Sequence, residues 1–243
     1  MEFEVFDLGL VDFKKAWEFQ KEIFQEVKNG FLESGLILCQ HYPVITLGSA
    51  ANKKNILISE EELKIRGIEL YEIERGGDVT YHGPGQLTAY PIFNLNYLKK
   101  DIHLFLRQLE EVIIDLLSDL GIKSNRRLGL SGVWVNNQKI ASIGIAIKNW
   151  ITFHGLSINI KKSDLNNFRF IRPCGMDIEM ASLETILARD IELANLKIKL
   201  IYKFRDVFSA KLKGIACADY NGDTLPIASK DVPPCLPAGR DWV

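Results

Sequence analysis

Polar and apolar residues alternate over residues 2–8 with the period of two that marks a strand. From 12 to 28 the rhythm changes. Phe13, Trp17, Ile23, Phe24 and Val27 recur at close to helical spacing, which predicts an amphipathic helix. Residues 35–47 read as two short apolar strands broken at Pro43, and Ser59 with Glu62 forms a capping box that opens a short helix ending at Gly67. A strand at 68–73 then leads into a glycine-rich segment, and a second strand, 86–95, leaves it.

Asp101 caps a long amphipathic helix that runs to Leu120 and is closed by Gly121. Three strands follow at 132–135, 139–147 and 151–160, with turns at 136–138 and 149–150. A short helix is expected at 163–168, an irregular stretch at 171–177, a second long helix at 191–209 and a short strand near 214–218. Helices set between runs of antiparallel strands predict an α+β, or mixed α/β, fold rather than a doubly wound parallel sheet. One domain is expected over 1–230, with a minor lobe after Ile191 left open. Residues 231–243, which include Pro233, Pro234 and Pro237, are expected to be a poorly ordered tail.

Composition adds mainly exclusions. Apolar residues make up 47% and charged residues 25% of the 243, values that allow a substantial core. The formal net charge of −1 argues against a nucleic-acid binder, which needs a concentrated cationic surface. No apolar run reaches the roughly 20 residues of a membrane span, and Glu2 and Glu4 stand where a secretory leader carries cations, so a cytoplasmic address is expected. Local basic clusters remain: Lys123, Arg126 and Arg127; Lys161 and Lys162; Arg169 and Arg172. Each is either a solvated surface or part of a rim for an acidic protein partner.

Residues 75–85 read Arg-Gly-Gly-Asp-Val-Thr-Tyr-His-Gly-Pro-Gly. Four glycines and a proline in eleven positions exclude a helix interior and an ordinary strand, and let a ligand approach the main chain. The segment lacks the Lys-Ser/Thr ending of a nucleotide P-loop and the glycine spacing of a dinucleotide site. It is therefore read as a ligand-cradling loop for something other than a nucleotide phosphate, with a tight structural turn as the alternative.

The four cysteines show neither metal-ligand nor dense disulfide spacing, so reduced thiols and no metal site are expected. Cys39 and Cys217 sit among apolar residues and read as core, while Cys235 lies in the tail with no activating neighbour. Cys174 differs, because Arg172 and Pro173 precede it and Gly175 follows. It is either a nucleophile or a small residue packed in a turn. A nucleophilic thiol needs a proton acceptor or a cation, and His82, His154 and Lys139 are the candidates. Lys139 shares strand parity with Ala141, Ile143, Ile145 and Ile147, where partial desolvation would make it a usable base. The alternative, slightly preferred on these residues alone, is a lysine just outside the turn, solvated and inert, and a bulge at the strand start would reverse the parity. Ser142 and Gly144 lie on the other side of that strand, small enough for a chain-like ligand.

Taken together, these motifs resemble the lipoyl(octanoyl) transferase family. The matching pieces are the 75–85 segment with Gln86, then Tyr90-Pro91-Ile92, Gly132-Val-Trp-Val135, Lys139-Ile-Ala-Ser-Ile-Gly144, His154-Gly155 with Asn159, and Pro173-Cys174-Gly175. They keep the family's order and spacing over roughly residues 1–210. The resemblance implies a fold akin to the catalytic domains of biotin and lipoate protein ligases, and a catalytic dyad of Cys174 and Lys139. It implies substrate-binding segments at Arg75, Gly76, Gly77, Asp78, Val79, Thr80, Tyr81 and His82, at Ser142, Ile143 and Gly144, and at His154, Gly155, Leu156 and Ser157. It also implies a reaction without cofactor or ATP. The octanoyl group would pass from octanoyl-acyl-carrier protein, through a Cys174 thioester, to a lysine of the lipoyl domains of 2-oxoacid dehydrogenases and glycine cleavage H protein.

Three alternatives are weighed against this. An ATP-dependent lipoate or biotin protein ligase of the same fold would not need the cysteine. A thioesterase would hydrolyse the Cys174 acyl-enzyme whether or not a lipoyl domain is present. A non-catalytic acyl or carrier-protein binding module would leave Cys174 unreactive.

Overall fold

A computed structural model describes residues 1–217, the side chains of Cys174 and Cys217 excepted. The expectations for Cys217, Cys235 and the 231–243 tail lie outside the described residues. In chain order the elements are β1 (Glu2–Val11), α1 (Phe13–Asn29), β2 (Ser34–His41), β3 (Val44–Leu47), α2 (Glu60–Ile65), β4 (Glu69–Glu72), β5 (Val79–His82), β6 (Gln86–Phe93) and α3 (Ile102–Asp119). The chain continues through β7 (Asn125–Arg127), β8 (Leu130–Val135), β9 (Gln138–Lys148), β10 (Ile151–Asn159), α4 (Lys162–Leu165), α5 (Leu183–Leu187), α6 (Leu193–Val207) and β11 (Lys211–Cys217).

Eight strands form one mixed sheet in the order β11-β1-β2-β6-β10-β9-β8-β7, and β4-β3-β5 form a small second sheet. Only the β11-β1-β2 edge of the large sheet is parallel. Period-two alternation sorts the central strands between two faces. Leu36, Leu38, Leu87, Ala89 and Phe93 face α3 and α6, where Phe93 meets the rings of Phe105, Phe204 and Phe208. Ile37, Cys39, Tyr90 and Ile92 face the other way, toward Ala16, Ile23, Phe24 and Val27 of α1. Every residue of β6 is buried, as befits a strand covered on both faces.

The mixed α/β class read from the sequence is the one observed. The caps also form: Ser59 Oγ accepts from Glu62 N–H, and Asp101 accepts from Leu104 N–H. Beyond Ile191 the chain returns to the main body, since α6 packs among the α3 residues and β11 pairs in parallel with β1. One expectation is corrected. Val79–His82, read as loop, is a strand paired antiparallel with β3, because Val-Thr-Tyr is a strand-forming run whatever its flanking glycines permit. Among the described residues no helix is long and apolar enough to cross a membrane.

Pro91 sits mid-strand in β6 and cannot donate to β10, whose pairing with β6 reaches only to Leu156↔Ala89. Thr152 Oγ1 bridges the gap, donating to Pro91 O and accepting from Phe93 N–H. Between these points β10 kinks. His154 takes φ 57°, and its N–H donates to Gln20 Oε1 on α1 instead of to the sheet.

Candidate active site

The kink, the glycine segment, β9 and the start of α3 surround a cavity of about 470 Å³. Arg75 to Thr80 and His82 line it from one side, Lys139 and Ser142 to Gly144 from a second, and His154 to Ser157 from a third. Pro173, the residue before Cys174, lines the same space. Of the residues singled out in the sequence, Tyr81 alone among described side chains is turned elsewhere. It alternates with Thr80 and His82, its ring packs on Phe168, and its hydroxyl accepts from Asn167. The side chain of Cys174 lies outside the described atoms.

The glycine segment divides into two parts. Arg75 Nε and Nη2 donate to Thr46, and Nη1 donates to Gly76 O, so this buried guanidinium fastens the segment to β3. Gly76 N–H donates to Ile145 O of β9. The later Gly83-Pro84-Gly85 turn packs on Asp164, which accepts the N–H of Gly85, and a side chain at either glycine would collide with that carboxylate. This half is a structural turn, whereas residues 75–80 and His82 line the cavity.

Lys139 reaches the cavity because of a bulge. Val133 pairs with Ala141 but Trp134 pairs with Lys139, so Lys139 and Ala141 fall on opposite faces. Ala141 enters the core, and Lys139 joins Ser142 and Gly144 in the cavity wall. The expected parity of Lys139 with Ala141 is therefore reversed. Lys139 is only 4% exposed, and its Nζ stands 5.1 Å from the Trp134 ring centroid. Gly132 makes room for it: at φ 131°, an added Cβ would lie 2.6 Å from Lys139 Cε and 3.2 Å from Nζ.

The turn that carries Cys174 is held at both ends. Upstream, Arg172 N–H donates to Asn55 O at 2.8 Å, while the Asn55 side chain donates to Asp78 of the glycine segment. Downstream, the chain runs alongside Lys139 as a parallel bridge, with Lys139 N–H donating to Glu179 O and Ala181 N–H to Lys139 O. Asn159 Nδ2 donates to Ala181 O at 3.0 Å across the same seam. Arg172 itself turns outward and pairs with exposed Asp177, so the charge expected beside Cys174 is engaged at the surface.

The buried His41, His82 and His154 are neutral, each with hydrogen bonds of defined sense. Gln86 Nε2 donates to Tyr81 O, which leaves Oε1 to accept from His82 Nδ1–H and makes His82 Nε2 the bare nitrogen. Burial, with His41 and Arg75 nearby, holds His82 at about 3. Burial likewise lowers His41 to about 4, where its Nδ1–H donates to Val11 O and Nε2 accepts from Tyr90 O–H at 2.7 Å. His154 is also lowered by burial, and its Nε2–H donates to Glu74, which that bond holds down at about 2.

Sequence reading passed over Thr88, Ile102, Leu106 and the 129–131 hairpin tip, and used Tyr90 only as part of a matching motif; all of these line the cavity. Thr88 and Tyr90 alternate with Gln86 opposite core residues Leu87 and Ala89, a period-two signal present in the chain. Nothing local marks the other five. The basic clusters also sort themselves: Arg126 is locked to Glu110 and Glu111, while Lys161 and Lys162 are exposed. Arg126 is thus tied into the α3 flank. Among the described residues no three His, Cys, Asp or Glu side chains converge as a metal set.

Residues 12–205 match the family described as the lipoyl protein ligase A/B catalytic domain. An octanoyltransferase of Thermoanaerobacter sp. (strain X514) is 46% identical over 208 residues, covering 84% of this chain and 90% of that relative. One from Caldicellulosiruptor saccharolyticus is 43% identical over 222 residues, covering 90% and 94%. Among solved structures, a lipoate-protein ligase A bound with ATP superposes at TM-score 0.75 over 88% of each chain, with 16% identity. A bi-partite lipoate protein ligase from Thermoplasma acidophilum gives 0.69 over 88% and 86%, also at 16%. At such identities the solved structures speak to the fold alone.

Proposed function

Because this chain belongs to the octanoyltransferases of the lipoyl protein ligase A/B catalytic-domain family, we propose that Cys174 carries the octanoyl group and that Lys139 handles the protons. The donor is octanoyl-acyl-carrier protein and the acceptor a lysine of a lipoyl domain. The Cys174 thiolate attacks the donor thioester carbonyl, and the carrier's sulfur leaves as a thiol, taking its proton from the Lys139 ammonium and leaving that amine neutral. The acceptor amine then attacks the Cys174 thioester, Lys139 takes the proton that the amine loses, and the Cys174 thiolate departs. Each step exchanges one acyl bond for another, so no nucleotide is consumed.

One observation carries this reading. Lys139 ends in the cavity wall, and its own peptide is bonded on both sides to the 179–181 segment that follows the Pro173–Gly175 turn. Turn and lysine are therefore neighbours on one seam. Among the described residues Arg75 and Lys139 give the cavity a positive lining against the one carboxylate of Asp78, with three neutral histidines in or beside the wall. Such a field favours a thiolate and a developing oxyanion. Ile73, Ile102, Leu106, Ile143 and Leu156 supply the apolar wall for an alkyl chain, each buried methylene contributing about 0.8 kcal/mol.

Two half-reactions make the test. Initial rates with both substrates varied should give the parallel lines of a ping-pong scheme. Cys174→Ala should lose both half-reactions, and Lys139→Met should slow transfer from preformed acyl-enzyme. Intersecting lines, or a Cys174→Ala enzyme that still transfers, would overturn the assignment.

A further inference from the structure

We propose that Glu110 is a positioning residue for Lys139, acting through the backbone of Gly132. The inference rests on Lys139 being the proton acceptor. Glu110 lies on the buried side of α3, only 2% exposed, where an unpaired carboxylate would be costly. Among the described residues its partners belong to its own helix or to the β7–β8 hairpin. One oxygen accepts from Arg107 Nη1 at 2.6 Å and from Arg126 Nε at 3.0 Å, and the other accepts from the Gly132 N–H at 3.2 Å.

This carboxylate therefore grips the hairpin on both strands, Arg126 on the way out and Gly132 on the way back. Between the two grips lie Gly129, Leu130 and Ser131, which line the cavity. Gly132 in turn is the surface against which the lysine tail rests, its missing Cβ being the space that Cε and Nζ need. A small shift of Gly132 toward the cavity would push the amine off its place. A shift away would leave it without a wall. Glu110 touches no reacting atom; it sets where the wall stands.

The test uses full-length enzyme carrying Glu110→Ala, Glu110→Gln and, separately, Lys139→Met. Each is loaded with octanoyl groups from octanoyl-carrier protein, and single-turnover transfer to a lipoyl domain is followed by intact mass across pH. Melting temperatures fix an assay temperature at which all variants are folded. Glu110→Ala should slow transfer at saturating acceptor by about 10- to 100-fold, the order expected of a misplacement near 1 Å, with little change in acceptor KM. The pH limb that depends on Lys139 should move as well. Glu110→Gln keeps an oxygen for Gly132 and should fall between, and it decides the matter if the alanine variant does not fold. Unaltered rates and an unmoved limb in folded variants, or a loss confined to melting temperature, would overturn the role of Glu110. If Lys139→Met transfers at full rate with an unchanged pH profile, the reading of Lys139 fails instead.

Discussion

The N–H of Ala181 donates to the carbonyl of Lys139 at 2.9 Å, so the segment after the Cys174 turn is stitched to the lysine's own peptide. Asn159 clasps this seam, donating to Ala181 O at 3.0 Å and standing 3.5 Å from Lys139 O. Replacing Asn159 by Ala leaves a buried carbonyl without its donor, at a cost of about 1–3 kcal/mol. Urea unfolding should show that loss, and acyl transfer at a temperature where the variant is folded should be slower than in the unmodified enzyme. Full transfer activity would mean that the seam does not set the lysine's position.

Asn55 and Asp78 control the other end of the turn. Asp78 accepts from the Asn55 side chain and from the Asn52 N–H, and Asn55 O accepts from Arg172 N–H. Asp78→Ala releases Asn55 and leaves Cys174 itself in the sequence. The rate of Cys174 alkylation by iodoacetamide, read by peptide mass, should fall several-fold while the urea midpoint shifts little. An unchanged alkylation rate would show that the turn holds itself.

Acid should unfold this protein through its histidines. His41 and His82 stand at about 4 and about 3 in the folded state, against 6.5 when unfolded, in both cases chiefly through burial. Between pH 6.5 and 4 the unfolded chain therefore binds protons that the folded chain refuses. Stability is complete above 6.5 and declines as the pH falls, by about 1.4 kcal/mol per pH unit for each such histidine. Urea midpoints measured from pH 7.5 to 4.5 should fall accordingly, and His41→Gln should flatten the slope. A midpoint that stays level from pH 7 to 5 would contradict the buried neutral state.

Much of this fold is legible along the chain, and the exceptions share a cause. Asp101, Ser59 and the helical spacing of Phe13, Ile23, Phe24 and Val27 act locally, and the elements they predict are there. The five-residue α5 and three-residue β7 are too short for any period to show. Val79–His82 reads as loop because its glycines describe what the backbone can do, whereas pairing with β3 decides what it does. The face of Lys139 depends on a bulge set by a partner strand, and the fate of Arg126 depends on Glu110 and Glu111 of α3. Tyr81 illustrates the limit of a motif. Its neighbours Thr80 and His82 face the cavity, and alternation turns its ring to Phe168.

The most direct measurement is the intact mass of the enzyme after incubation with octanoyl-carrier protein in the absence of nucleotide. A single octanoyl adduct is expected, lost in Cys174→Ala and discharged on adding a lipoyl domain. Strict dependence on ATP, or an adduct that persists in Cys174→Ala, would contradict the account.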